Sequence, residues 1–143
     1  MTQVDFYIVP EDNVDAFLYR LTEKIYRLGR TIYIHASPEA ALHIDELFWQ
    51  AEPGGFIPHG LIGESVSPPP PIQIGFETPD LKNYDVLINL TAEVPSFFHA
   101  FQRIIEIVPQ DDHIKDYTRS HYRFYHQQGL SIQSHNLTES SNL

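Results

Sequence analysis

The chain opens on Val4-Asp5-Phe6-Tyr7-Ile8-Val9, a β-branched and aromatic run closed by Pro10, which predicts a first strand. Behind it Val14, Phe17, Leu18, Leu21, Ile25 and Leu28 recur at i, i+3, i+4 spacing and form one apolar helical face. Asp12 or Asn13 supplies the cap, and Gly29 stops the helix after its last turn. Thr31 to His35 reads as a second strand. Ser37-Pro38, a capping serine followed by a first-turn proline, then opens a helix running to about Trp49. Strand, helix, strand, helix with short connections predicts an α/β fold on a parallel sheet.

The middle of the chain is less periodic. Residues 50–71 contain four glycines and six prolines, including Pro68 to Pro71, and read as a loop with an extended polyproline segment. Ile72 to Phe76 and Tyr84 to Leu90 read as strands, separated by the turn signal Thr78-Pro79-Asp80. The spacing of Phe97, Phe98, Phe101, Ile104 and Ile105 predicts a helix opened at Pro95 or Ser96 and broken by Pro109. Asp111 or Asp112 caps a last helix to about Gln128, with Gly129 as its stop, and Leu130 to Gln133 closes as a short strand. Residues 134–143 are polar and are expected to fray as a disordered tail. With no repeat and no linker, residues 1–133 are expected to form a single domain.

Composition sharpens this picture. The 143 residues are 42% hydrophobic and 13% aromatic, enough for one core, and they include no cysteine, which removes disulfides and thiolate chemistry. No apolar run reaches the roughly 20 residues of a membrane span, and the N-terminus carries no signal pattern, so a cytoplasmic protein is expected. Nineteen acidic residues against nine basic ones give a net charge of −10, which counts against a general DNA-binding surface. The charge is not evenly spread. Residues 39–112 hold twelve acidic and two basic residues, whereas Lys115, Arg119 and Arg123 outnumber Asp116 and Glu139 after residue 112.

Several familiar chemistries are missing. There is no G-x-G-x-x-G and no phosphate-binding P-loop, and Pro10-Glu11-Asp12 after the first strand would repel a phosphate. No cofactor is therefore expected. The eight histidines show no H-E-x-x-H, and His121 and His126 lie about 140° apart around a helix, so no metal site is expected. There is no G-x-S-x-G elbow; His35 and Asp85 could meet at strand ends, but no nucleophile accompanies them. No catalytic residue is assigned.

Two features remain. On the last helix Lys115, Arg119, Tyr122, Arg123 and His126 recur at i, i+4, i+7, i+8 and i+11 and share one face, with Ile114, Tyr117 or Tyr125 left for the buried side. An ordinary solvated face reads the same way. A cationic stripe interleaved with tyrosine in so acidic a protein also suits an acidic peptide or a terminal carboxylate. Three cations would neutralise few phosphates. The second feature is Trp49 with Phe56-Ile57-Pro58-His59-Gly60, which serves either as core beneath the loop or as an aromatic anchor for a protein partner.

These blocks resemble the chi subunit family of bacterial DNA polymerase III. The resemblance is carried by Asp5-Phe6-Tyr7, Asp45-Glu46-Leu47-Phe48-Trp49, Phe56-Ile57-Pro58-His59-Gly60-Leu61-Ile62-Gly63-Glu64, Asp85 to Leu90, and Val108-Pro109 through Gly129. It spans the chain except the last ten residues and the Pro68–Pro71 region. It implies a three-layer Rossmann-like fold with a mostly parallel open sheet and no nucleotide chemistry. It also implies a non-catalytic accessory subunit, linking the clamp loader through the psi subunit to the acidic C-terminal tail of single-stranded-DNA-binding protein. On that resemblance Lys115, Arg119, Tyr122 and Arg123 match the tail-binding surface, Gly129 bounds it, and His126 stands where some relatives are basic. Trp49 and Phe56, with Ile57 and Pro58, match the psi-binding surface. No sequence-specific nucleic-acid contact and no membrane contact are implied. The rival reading is a small Rossmann-like enzyme acting on an anionic metabolite, with His59 as its acid–base group; a direct DNA binder is a third.

Overall fold

The structure is a computed structural model and describes residues 2–50, 58–62 and 69–137. Strand β1 (Gln3–Val9) leads through a 3-10 turn (Glu11–Asn13) into helix α1 (Val14–Arg27), followed by β2 (Ile32–His35) and α2 (Pro38–Trp49). Then come β3 (His59–Leu61), β4 (Ile72–Gly75), β5 (Val86–Asn89), a 3-10 turn (Phe98–Ala100), β6 (Arg103–Pro109), α3 (Asp112–Gln127) and β7 (Ser131–Asn136). The strands form one sheet in the order β3-β4-β2-β5-β6-β1-β7, and every described pairing is parallel. The Rossmann-like α/β expectation is met, with the sheet wholly rather than mostly parallel.

The three layers follow from alternation along the strands. Val9, Ile32, Ile34, Ile72, Ile74, Val86, Ile88, Ile105 and Ile107 pack with Leu18, Leu21, Ile25, Ala41, Ile44 and Phe48 of α1 and α2. Val4, Phe6, Tyr33, Leu87, Ile104 and Val108 face the other way, against Tyr125 of α3 and Phe97 and Phe101. Gly75 shows how closely this packing is set. A Cβ there would lie 2.7 Å from Ile62 Cβ and 3.0 Å from the Tyr33 hydroxyl, and closer still to Ile62 Cγ2. Gly75→Ala is expected to lose about 1–3 kcal/mol of stability by overpacking, read as a lower urea midpoint at unchanged slope.

The structure departs from the sequence reading in specific places. The helix expected from Pro95 to Pro109 is instead a 3-10 turn followed by β6. β6 is a central strand whose Ile104, Ile105, Ile107 and Val108 are buried on both faces, so its apolar run is continuous and mimics helical spacing. The first helix is entered through the 3-10 turn, where Asn13 N–H donates to Pro10 O at 2.9 Å, and Asn13 makes no side-chain cap. Leu28, expected on the buried face, lies beyond the last helical residue and is 70% exposed, beside Gly29 at φ +83°. Part of the expected 50–71 loop is β3, paired with β4. His35 and Asp85 lie at opposite ends of their parallel strands, with Asp85 held by the Thr31 N–H at 3.0 Å.

The expected tail boundary also moves. Ser134, His135 and Asn136 continue β7 alongside β1. Their polar side chains hide a strand from any pattern search, but at a half-exposed sheet edge backbone pairing suffices, and the His135 ring stacks on Tyr7 at 4.5 Å and bonds Asp5 at 3.0 Å. Residues 138–143 lie outside the described residues. Among the described residues no helix is long and apolar enough to cross a membrane.

Candidate functional site

Asp111 caps α3, its carboxylate accepting from His113 N–H at 2.8 Å and Ile114 N–H at 3.4 Å, and Gly129 ends the turn beyond the helix at φ +77°. Between these stops the helix is sharply two-sided. His121 and Tyr125 are buried against the sheet, with Ile114, Tyr117 and Phe124 half-buried beside them. Lys115, Arg119, Tyr122, Arg123 and His126 face outward, as the spacing predicts.

The inner side of α3 is pinned by a polar cluster the sequence reading did not find. Glu106 of β6 is buried, and its carboxylate accepts from Tyr125 Oη at 2.7 Å, Asn89 Nδ2 at 3.0 Å and His121 Nδ1 at 3.1 Å. The other ring nitrogen, Nε2, donates to Ala92 O at 2.8 Å. Burial works to lower the His121 pKa, but the hydrogen bond and charge of Glu106, with the Ala92 carbonyl, outweigh it and raise it above the usual histidine value. Burial first, and then the Glu106 charge, push the Tyr125 hydroxyl upward, so it stays protonated and donates. Register explains the convergence: Asn89 pairs with Glu106, and Glu106 with Phe6, placing the three at one level of the sheet. A charged residue inside the apolar run Ile104 to Val108 was the available signal.

The outer side borders a groove of about 340 Å³ between α3 and the β6-β1-β7 edge. Phe6, Ile8 and Val108 contribute an apolar surface, Ser134 lies on β7, and Lys115, Arg119 and Tyr122 come from the helix. Tyr122 is 43% exposed and lies 5.7 Å from Phe6. On its other side Arg123 and His126 line a separate depression of about 220 Å³, with the His126 ring parallel to Tyr122 at 6.4 Å. The stripe is thus divided by Tyr122: Lys115 and Arg119 face the groove, and Arg123 and His126 face its neighbour. Gly129 lines neither and serves the backbone turn, its N–H donating to His126 O at 3.0 Å. Among the described residues Lys115, Arg119 and Arg123 form no ion pair, whereas Arg27, Arg30 and Arg103 each face a carboxylate. Two uncompensated cations bordering an apolar groove, with a third just beyond Tyr122, suit an anionic peptide.

The second sequence candidate lies at the opposite edge of the sheet. Trp49 ends α2 and is 60% exposed, its ring 5.0 Å from His59, which starts β3 immediately after the half-buried Pro58. Leu42, one heptad earlier on α2, is 61% exposed. Phe56 and Ile57 lie outside the described residues. The His59 side chain is wholly buried against Phe48 and Trp49, with Nε2 3.4 Å from Asp45 Oδ1. That position does not present it to a substrate, which removes the acid–base group of the enzyme reading. Among the described residues no three His, Asp or Glu side chains are grouped to hold a metal.

Comparison with known proteins agrees in extent. The family model described as DNA polymerase III chi subunit, HolC, matches residues 1–133. A curated DNA polymerase III subunit chi from Haemophilus influenzae is 39% identical over 137 residues, 92% of this chain and 95% of the relative. Its counterpart from Pseudomonas aeruginosa is 38% identical over 141 residues, 96% and 98% of the two chains. The Escherichia coli K12 protein of that name is 26% identical over 141 residues.

Proposed function

The chain belongs to the DNA polymerase III chi subunit family, a replication accessory subunit with no catalytic activity of its own, and from that premise we propose that it acts as a two-sided protein adaptor in the cytoplasm. The groove along α3 takes the acidic, carboxylate-terminated tail of single-stranded-DNA-binding protein, through Lys115, Arg119 and Tyr122, with Arg123, His126 and Gly129 bounding the contact. Trp49 and Pro58, together with Phe56 and Ile57, take the psi subunit of the clamp loader.

The observation that carries this reading is the set of unpaired cations beside the apolar groove floor, in a protein of net charge −10. A peptide contact of this size is weak, near micromolar, and gains strength when one coated strand presents many tails. Calorimetry with an acidic peptide ending in a free carboxylate tests it: the peptide should bind, the C-terminally amidated peptide should bind at least about tenfold more weakly, and added salt should weaken both. Equal affinity for the two peptides refutes the groove as a carboxylate site. Trp49→Ala should leave peptide binding intact while abolishing co-purification with psi. The two candidate surfaces lie at opposite sheet edges, so loss of both activities in a folded Trp49→Ala protein would overturn the division.

A further inference from the structure

β2 and β5 are neighbours, yet the chain leaves them in opposite directions. From β2 it runs through α2 towards the β3 edge, and from β5 it runs towards β6, with Phe97 and Phe101 packed on the other face. Diverging connections of this kind leave a crevice at the carboxyl ends of the two strands. Here the crevice is a cavity of about 740 Å³ whose lining includes His35, Ser37, Phe76, Glu93, Pro95 and Ser96. Neither the α3 groove nor the Trp49 surface includes any of these residues.

Its most informative residue is His35. The side chain is buried, with 6% of the residue exposed, and Nδ1 has no hydrogen-bond partner among the described residues. Buried ring nitrogens are ordinarily paired, so the ring that lines the cavity carries a polar atom the fold itself leaves unsatisfied. The ring stacks on Phe76 at 5.3 Å and 3° and meets the edge of Phe97 at 5.3 Å and 85°. Phe76 is itself 52% exposed and presents an aromatic face at the crevice. Burial lowers the His35 pKa, which leaves the ring neutral at pH 7 with one lone pair to accept a hydrogen bond.

The charges select the ligand. Among the described residues Glu93 is the one lining residue with a full charge at neutral pH, and no lysine or arginine lines the cavity. An anion is disfavoured further by the start of α2. Ser37 Oγ already accepts Ala40 N–H at 3.3 Å, Pro38 has no N–H to offer, and Glu39 occupies the first turn. What remains is a set of acceptors around an exposed aromatic face. A guanidinium group matches it, being planar, cationic and a donor only, and stacking readily on aromatic rings. We infer that the crevice at the carboxyl ends of β2 and β5 binds the arginine side chain of a protein partner, the guanidinium lying over Phe76 and donating to Glu93 and to the His35 ring. A lysine ammonium lacks the plane, and a nucleobase brings acceptors that Glu93 would oppose.

The test is titration of the full-length protein with N-acetyl-arginine amide, followed by two-dimensional NMR of the histidine and phenylalanine rings. Saturable shifts of His35 and Phe76 are expected, in the millimolar range for a ligand of this size. N-acetyl-lysine amide and N-acetyl-citrulline amide should bind at least about fivefold more weakly, because each lacks either the plane or the charge. Phe76→Ala and Glu93→Gln, both at exposed positions, should each abolish the response while leaving binding to the α3 groove unchanged. Absence of a His35 shift, equal response to the lysine compound, or full response in Glu93→Gln each overturns the inference. So does tighter binding of adenosine or cytidine at the same rings.

Discussion

Glu106→Ala is expected to remove about 3–5 kcal/mol of folding stability, enough to unfold a domain of ordinary margin on mild warming. The carboxylate is the common acceptor of Tyr125, Asn89 and His121, all three of them buried; its removal strands the Tyr125 hydroxyl and His121 Nδ1 and leaves Asn89 Nδ2 with the Glu93 carbonyl alone. Glu106→Gln separates shape from charge. It keeps the volume and one acceptor but withdraws the negative partner of His121. The folded His121 pKa lies above its ordinary 6.5, so the stabilisation from protonating it in the native state is fully present below about pH 6.5. It is lost as pH rises through the folded value. The gap between wild type and Glu106→Gln in urea unfolding should therefore be widest near pH 6 and narrow on the alkaline side. A gap independent of pH would show that the pair carries no linked proton.

Arg119→Ala is expected to weaken the acidic-peptide contact roughly 10- to 150-fold, the equivalent of about 1.5–3 kcal/mol for a charge-assisted bond shielded by the bound peptide. Arg119 lines the groove beside the Phe6, Ile8 and Val108 surface and has no carboxylate partner among the described residues. Its loss exposes no buried group, so melting temperature should hold while affinity falls, a split calorimetry and a thermal melt resolve together. Arg123→Ala should cost less, because Arg123 lies beyond Tyr122 in the neighbouring depression. Equal losses at the two positions would show that the peptide straddles Tyr122 rather than following the groove.

The outward stripe of α3 was legible because helical periodicity is a local property; five residues at fixed spacing need nothing else to share a face. The parallel sheet was legible for the same reason, from strand and helix periods in alternation. What escaped depends on partners distant in sequence. Ile104 to Val108 satisfies helical and buried-strand patterns equally, and only the neighbours β5 and β1 decide it. Ser134 to Asn136 carries no apolar signal, because a half-exposed edge strand is recruited by the β1 backbone beside it. Of the groove, the sequence gives up the cations but not the floor. Phe6, Ile8 and Val108 look like plain core until β7 is found at the edge.

β1 sits between β6 and β7, so its two partners are supplied by residues that follow it by about a hundred positions or more. Contacts so remote in the chain are slow to form, since loop closure must come before any reward. During synthesis β1 emerges before the other strands of the sheet and has no strand partner until residue 103 has been made, while its outer edge stays open until residue 131. The α3 groove, built from β1, β6, α3 and β7, is therefore completed only after the other described elements have been made. A chain stalled before β7 would expose a parallel strand edge that other chains can extend, and such a product would be removed or aggregate before it could occupy a place in the assembly.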